Sequence, residues 1–385
     1  MGHNIAPMNP TARSRAALAL AVLAVSGAAV ILAPSFHRQQ WIARLALRET
    51  SLILVPIAAA ALLAARGVPG RTARVARILS LAATAVALAA FVAPLTAFGR
   101  MGDFSFADYV MAGAATPVVR VENDVVLDAQ RPQLTADIFH APGPPPHPFV
   151  ANVHGGSWRR GDKGELPHFS RRLAAAGYTV VDVRYALAPA EPFPRGIADV
   201  KCLLGRIRER AADLGIDPAR SALLGRSAGA QVALIAAYSA GDPRIPPSCP
   251  VADQPVRAVV ALYAPSDLVW GHDNPMVPDV IQGTESLQLY LGGPPARAVE
   301  AYRLGTPMSW VGRAVPPTLL VHGGGDQLVS PVHSRRLASA LRDRGREVTF
   351  IEIPMGEHGM DARPGGVGEQ VVRRAVLDFL AARLR

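Results

Sequence analysis

Residues 221–229 read SALLGRSAG, and residues 230–239 continue as AQVALIAAYS. A short apolar run, a serine between glycines and a longer apolar stretch predict a strand over 221–224, a tight turn and a helix over 228–239. Gly225 and Gly229 let the backbone turn sharply, so the Ser227 hydroxyl is expected to stand exposed at the sheet edge, beside a helix N-terminus. That setting makes Ser227 a candidate nucleophile. The plainer alternative is a serine that caps the helix.

Outward from this turn, segments of strand length alternate with helical ones. Strands are expected at 134–140, 149–153, 179–184, 256–263, 318–322 and 347–353, and helices at 169–175, 197–212, 334–344 and 369–384. Alternation of this kind predicts an α/β fold, a mostly parallel sheet with helices on both faces. Residues 268–315 interrupt it with about fifty irregular residues, read as a lid or substrate-pocket insert.

A serine hydroxyl needs a base to take its proton and donors to hold the oxyanion that follows attack. The sequence HGGSW at 154–158 follows a predicted strand, and its small residues let backbone N–H groups face a reacting carbonyl. Gly156, Ser157 and Ala228, the residue after the serine, are the expected donors. Four histidines follow Ser227, at 272, 322, 333 and 358. His358, in GEHGM at 356–360 between the last strand and the last helix, stands where the base is expected, whereas His322 and His333 are given structural roles. Asp326, in HGGGDQL at 322–328, lies just beyond the strand 318–322 and is expected to orient the imidazole. Asp267, in YAPSDL at 263–268, is the alternative acid.

The first hundred residues differ from the rest. Uncharged runs at 16–33, 51–65 and 78–98 predict a helical membrane anchor over 14–98, with spans at about 16–33, 51–68 and 78–98. The short second run is the weakest of the three. Of the formal charge of +10, +7 lies in residues 1–110, where ten arginines face only Glu49, Asp103 and Asp108. Arginine between apolar runs is a topology signal, so nucleic acid is not an expected partner; the bilayer is. With the N-terminus inside, six arginines (13, 15, 66, 71, 74, 77) are cytoplasmic against four outside (38, 44, 48, 100), which places the domain after the third span in the extracytoplasmic space. Residues 99–117 read as a connector and 118–385 as the catalytic domain. Cys202 and Cys249 are too few for a disulfide scaffold or a zinc site, and a bridge between them and two unrelated thiols are both open.

With these motifs in hand, residues 118–384 resemble the carboxylesterase and hormone-sensitive-lipase-like branch of the α/β-hydrolase superfamily. The resemblance rests on HGGSW at 154, RYALAPAEPFP at 184–194 followed by Asp199-Val200-Lys201, GRSAGA at 225, HGGGDQL at 322 and GEHGM at 356. HGGS where that branch has HGGG, and GRSAGA where it has GDSAGG, look more like feruloyl-esterase-like, prenylcysteine-methylesterase-like and kynurenine-formamidase-like enzymes. The resemblance implies a hydrolase acting on a small-molecule or lipid-like ester through an acyl-enzyme on Ser227, with the Ser227, Asp326 and His358 triad and no metal or organic cofactor. An amidase or peptidase, an acyltransferase and a non-catalytic binding protein on the same fold are the alternatives.

Overall fold

The computed structural model describes residues 9–98, 104–111 and 116–385. Residues 99–103 and 112–115 of the expected connector, with Arg100 and Asp103, lie outside the described residues.

Four helices come first: α1 (Pro10–Leu32), α2 (Arg38–Glu49), α3 (Leu54–Ala65) and α4 (Arg71–Leu95). In α1, α3 and α4 the buried positions are almost all small: Ala17, Ala21, Ala24 and Ala28 meet Ala58, Ala61 and Ala65, and Ala73, Ala76, Ser80, Ala83, Ala87 and Ala90. The large apolar side chains point outward, as at Leu63 and Ile78, which are 65% and 60% exposed. Water would favour the reverse arrangement; small residues inside and large ones outside suit helices whose solvent is lipid. The contacts also give the direction of each helix. Ala17 and Ala21 cluster with Ala65, Val68, Ala73 and Ala76, whereas Ala28 and Ile31 cluster with Leu54, Ala58, Ala87 and Ala90. So α1 rises, residues 51–68 return the chain to the level of Ala17, and α4 rises again.

Helices α1 and α4, at 23 and 25 residues, are long and apolar enough to cross a bilayer. The second expected span, 51–68, is a three-residue 3-10 turn followed by the 12 residues of α3, and its helix ends at Ala65. Helix α2 has no counterpart among the expected elements. It buries Arg44, Arg48 and Glu49 against the rest of the protein and leaves Ile42 and the preceding Phe36 exposed, along with Arg38, Gln39 and Gln40 of its first turn.

After α5 (Phe106–Met111) the chain runs β1 (Val121–Val126), β2 (Thr135–Phe139), β3 (His147–Val153), α6 (Pro167–Ala175), β4 (Thr179–Val183), α7 (Arg195–Glu209), α8 (Ala211–Leu214), β5 (Ile216–Arg226), α9 (Ala228–Tyr238) and β6 (Ala258–Leu262). Then come α10 (Leu268–Asp273), α11 (Gly283–Leu291), α12 (Val299–Gly305), β7 (Thr318–Gly323), α13 (Val332–Asp343), β8 (Val348–Ile353) and α14 (Val367–Leu384). The sheet order is β1-β2-β4-β3-β5-β6-β7-β8. Among the described strands β2 is the reversed one, antiparallel to both β1 and β4; β4, β3, β5, β6, β7 and β8 are parallel. One apolar cluster packs α7, α9 and α13 on one face, through Leu203, Val232, Ile235 and Leu337. A second packs α6 and α14 on the other, through Phe169, Leu173, Val372 and Leu380. The expected α/β layering is therefore present.

Two expectations need correction. Residues 268–315 are not irregular but carry three short helices and a 3-10 turn at Pro307–Trp310. The strand before Ser227 is longer than 221–224, because it begins at Ile216 and is paired on both sides.

The helical unit is joined to the sheet domain by polar contacts. Arg44 Nε lies 2.8 Å from Glu357 Oε2, and Arg48 Nη1 donates to Met355 O at 2.7 Å. Gly368 N donates to Glu49 Oε2 at 3.0 Å, and Ser35 N to Gln327 Oε1 at 3.0 Å. Near α5, Arg172 Nη1 donates to Asp108 Oδ2 at 3.0 Å and Arg363 Nη2 to Tyr109 O at 2.7 Å.

Candidate active site

The turn between β5 and α9 puts Ser227 at φ 53° and ψ −124°, a backbone region that side chains seldom adopt. The glycines on either side make this feasible. A Cβ on Gly225 would lie 2.3 Å from Gly229 O, and one on Gly229 would lie 2.0 Å from His154 O, so both positions exclude any side chain. The backbone amide of Ser227 donates to Leu262 O at 2.9 Å, which ties the turn to the end of β6.

His358 Nε2 lies 2.9 Å from Ser227 Oγ, and His358 Nδ1 lies 2.7 Å from Asp326 Oδ2. The other carboxylate oxygen, Oδ1, accepts from Leu328 N at 2.8 Å and Val329 N at 2.9 Å. Burial alone would raise the Asp326 pKa; the facing His358 and His322 outweigh it and hold the carboxyl well below the usual range. Asp267 is elsewhere. It caps α10 through Trp270 N at 3.2 Å and pairs with Arg336 Nη2 at 2.6 Å. His322 is fully buried between Ser334 Oγ at 2.7 Å and Val329 O at 3.0 Å, beneath Asp326. His333 accepts from Ser266 N and Asp267 N, both at 3.3 Å, and burial lowers its pKa to about 3, so it stays neutral. His272 hydrogen-bonds Gln288 and Asp273, away from the serine.

The 154–158 turn lies against the same serine. Gly156, Ser157 and Trp158 all have positive φ, at 113°, 54° and 59°. Trp158 fixes the turn: its Nε1 donates to Gln231 Oε1 at 2.8 Å and its ring stacks on Tyr290 with centroids 4.8 Å apart. Among the described residues no protein acceptor engages the N–H groups of Gly156 and Ser157. The N–H of Ala228 opens α9, where first-turn amides have no partner within the helix.

Two further groups hold the serine and histidine loops in register, and the sequence reading did not find them. Arg226 donates from Nε to Asp361 Oδ2 at 2.6 Å and from Nη1 to Asn152 Oδ1 at 2.8 Å, while Asp361 Oδ1 accepts from Tyr263 at 2.7 Å. Arg226 and Asp361 are buried, so their charges are acceptable only as a pair, and the pair links the residue before Ser227 to the third residue after His358. The replacement of GDSAGG by GRSAGA thus has a structural partner. Glu357, next to His358, is fully buried and accepts from Gln327 N at 2.7 Å and His358 N at 3.1 Å. Burial and the nearby Asp326 push its carboxyl up; Arg48 and Arg44 of α2 oppose this. Replacing Arg44 and Arg48 with apolar residues would leave Glu357 as a buried charge without its cations, a loss on the order of 3–5 kcal/mol.

The motif residues at 199–201 are structural. Asp199 accepts from Ser248 Oγ at 2.6 Å and pairs with Arg131 at 3.0 Å, and Lys201 Nζ donates to Ser239 O and Ile245 O, both at 2.7 Å. The next residue, Cys202, is disulfide-bonded to Cys249, with Cα atoms 5.4 Å apart, and neither cysteine lines the cavities at Ser227.

Two cavities meet at Ser227. The first, about 60 Å³, is bounded by Ala228, Leu268, Leu287, Val329 and His333, with much of its wall supplied by 271–287. The second, about 390 Å³, is lined by His358, Gly156, Tyr263 and three residues of α2: Arg38, Trp41 and Leu45.

Known proteins share the fold and the family of this chain. The chain is 31% identical over 236 residues to esterase LipQ of Mycobacterium tuberculosis, covering 60% of this chain and 55% of that one. It is 29% identical over 246 residues to esterase LipC of the same organism, covering 62% and 60%. The chain therefore spans about half the length of the curated relatives it matches. The crystal structure of esterase LipW from Mycobacterium marinum superposes with a TM-score of 0.54 at 25% identity, over 71% of this chain and 84% of that one. The truncated carbohydrate esterase from gut microbiota, at 21% identity and a TM-score of 0.58, shares the fold and covers 70% of this chain and 98% of that one. The fold is that of the α/β-hydrolases. The family model BD-FAE matches residues 137–341, which hold Ser227, Asp326 and the 154–158 turn and make up more than half of the sequence, and the chain belongs to that family.

Proposed function

We propose that this protein is a membrane-anchored serine hydrolase that cleaves carboxylic esters through an acyl-enzyme on Ser227. The observation that carries the reading is the continuous relay from Ser227 Oγ to His358 at 2.9 Å and on to Asp326 at 2.7 Å, at the junction of two cavities. His358 takes the Ser227 proton as Oγ attacks the ester carbonyl, and the amides of Gly156, Ser157 and Ala228 hold the oxyanion. The C–O bond then breaks, and His358 returns the proton to the departing alcohol. Water, deprotonated by the same imidazole, attacks the acyl-enzyme and releases the acid and free Ser227.

The smaller cavity carries the acyl group in this reading. At about 60 Å³ it holds only a few water-sized positions. Acetyl and butyryl esters of 4-nitrophenol are therefore expected to exceed the octanoyl ester by at least about tenfold in kcat/KM. Assays of the full chain in detergent read this directly, and an octanoyl ester turned over as well as butyryl would remove the acyl assignment.

The anchor reading is supported by the inside-out packing of α1, α3 and α4. Three passes put the catalytic domain opposite the end that carries Arg13, Arg15, Arg66, Arg71, Arg74 and Arg77. Arg13 and Arg66 share that end, since Arg13 Nη2 donates to Arg66 O at 2.9 Å. At the other end Arg44 and Arg48 are occupied by Glu357, which leaves Arg38 there among the described residues. The free positive charge thus favours a cytoplasmic N-terminus and an extracytoplasmic catalytic domain. Alkaline phosphatase fused after Arg385 is expected to be active; fluorescence from a cytoplasm-only reporter at that position would reverse the orientation.

A further inference from the structure

Of the two cavities at Ser227, only the larger has His358 in its wall. The group that protonates the leaving oxygen must face it, so the alcohol portion of the ester lies on this side. One wall of that cavity is not built from the sheet domain. Arg38, Trp41 and Leu45, which supply it, all belong to α2. We propose that α2 is a substrate-binding wall, and that the alcohol released by this enzyme is a membrane-resident amphiphile, reached at the bilayer surface.

The position of α2 carries the inference. It lies between the end of α1 and the start of α3, and both of those ends are at the level that meets the sheet domain. It therefore runs along that face of the helical unit. Arg44 and Arg48 turn toward Glu357, while Phe36, Ile42 and Ile53, in and beside α2, are exposed. Large apolar side chains left outward beside inward-turned arginines suit a surface of lipid better than one of water. The cavity behind it then opens within about one helix diameter, ~10 Å, of the bilayer surface. An alcohol with an apolar stem can place its ester at Ser227 while the stem stays in lipid, so the cost of extracting it into water is avoided.

The chemistry of the wall fits such a molecule. Trp41, Leu45, Leu166 and Ile281 offer apolar surface, while Arg38 and Arg160 offer cationic donors to a polar head. The Trp41 indole N–H is shielded from solvent and, among the described residues, meets no acceptor. Tryptophan at a membrane surface commonly pairs an apolar ring with a polar contact.

This proposal rests on the esterase reading, and the test separates the two. The full chain is placed in phosphatidylcholine vesicles and given two acetyl esters, 1-oleoyl-2-acetylglycerol in the bilayer and 4-nitrophenyl acetate in the water. In Trp41→Ala and Leu45→Ala, kcat/KM for acetate release from the acetylglycerol is expected to fall about tenfold or more beyond any fall for the nitrophenyl ester. The loss should lie in KM, and Trp41→Phe should recover most of it. Equal losses on both esters would make α2 a structural support and overturn the proposal, as would no loss on either. No acetate from either ester with the unmodified chain would overturn the esterase reading and this proposal with it.

Discussion

Ser227→Ala is expected to lower kcat/KM for 4-nitrophenyl butyrate by at least ~10³-fold, and by as much as ~10⁶-fold if the relay acts as a unit. Among the described residues the Oγ atom has one protein partner, His358 Nε2. What holds the turn is backbone and glycine: the Ser227 amide on Leu262 O, and the tight passage of Gly225 and Gly229 against their neighbours. Alanine keeps the Cβ that already tolerates φ 53°, so the variant should fold and melt as the parent does. Fluorophosphonate labelling of the full chain should vanish with the activity. Near-normal turnover in a chain of unchanged melting temperature would remove Ser227 from the chemistry.

The parts of this site that were legible in the sequence are those written locally. Gly225 to Gly229 announce a sharp turn because the glycines sit beside the serine, and the apolar runs around them set strand and helix without reference to distant residues. His358 stood out by its place between the last strand and the last helix. The parts that were not legible depend on partners far apart in the chain. Arg226 was visible only as a departure from a motif, and nothing near it pointed to Asp361, 135 residues on. The arginines of α2 looked like interhelical charge, and their burial against Glu357 across more than 300 residues could not be read from spacing. Helices α10, α11 and α12 have six, nine and seven residues, too few turns for a period to emerge among the glycines and prolines around them. Strand β1 reads VENDVV, half-exposed at the sheet edge, where the alternation that marks a buried strand is weak.

Replacing each candidate acid by asparagine should separate them by orders of magnitude. Asp326 Oδ1 is held by two amides, Leu328 N and Val329 N, which accept no substitute but an acceptor. In Asp326→Asn the carboxamide oxygen must therefore stay on those amides, and its NH₂ must turn to His358 Nδ1. Faced with a donor, Nδ1 becomes an acceptor, and the ring proton moves to Nε2. An imidazole protonated at Nε2 cannot take the proton from Ser227, and the charge that stabilised the imidazolium is gone as well. A fall of about 10⁴-fold in kcat is expected, the size found when the acid of a serine-protease triad is changed in this way. Asp267→Asn should do little. Asparagine still caps α10, and the lost pair with half-exposed Arg336 is worth at most about 1 kcal/mol of stability. Activity within about threefold of the parent is expected there. If Asp267→Asn were the crippling change and Asp326→Asn the mild one, the orienting acid would lie at the end of β6, and the relay through Asp326 would have to be abandoned.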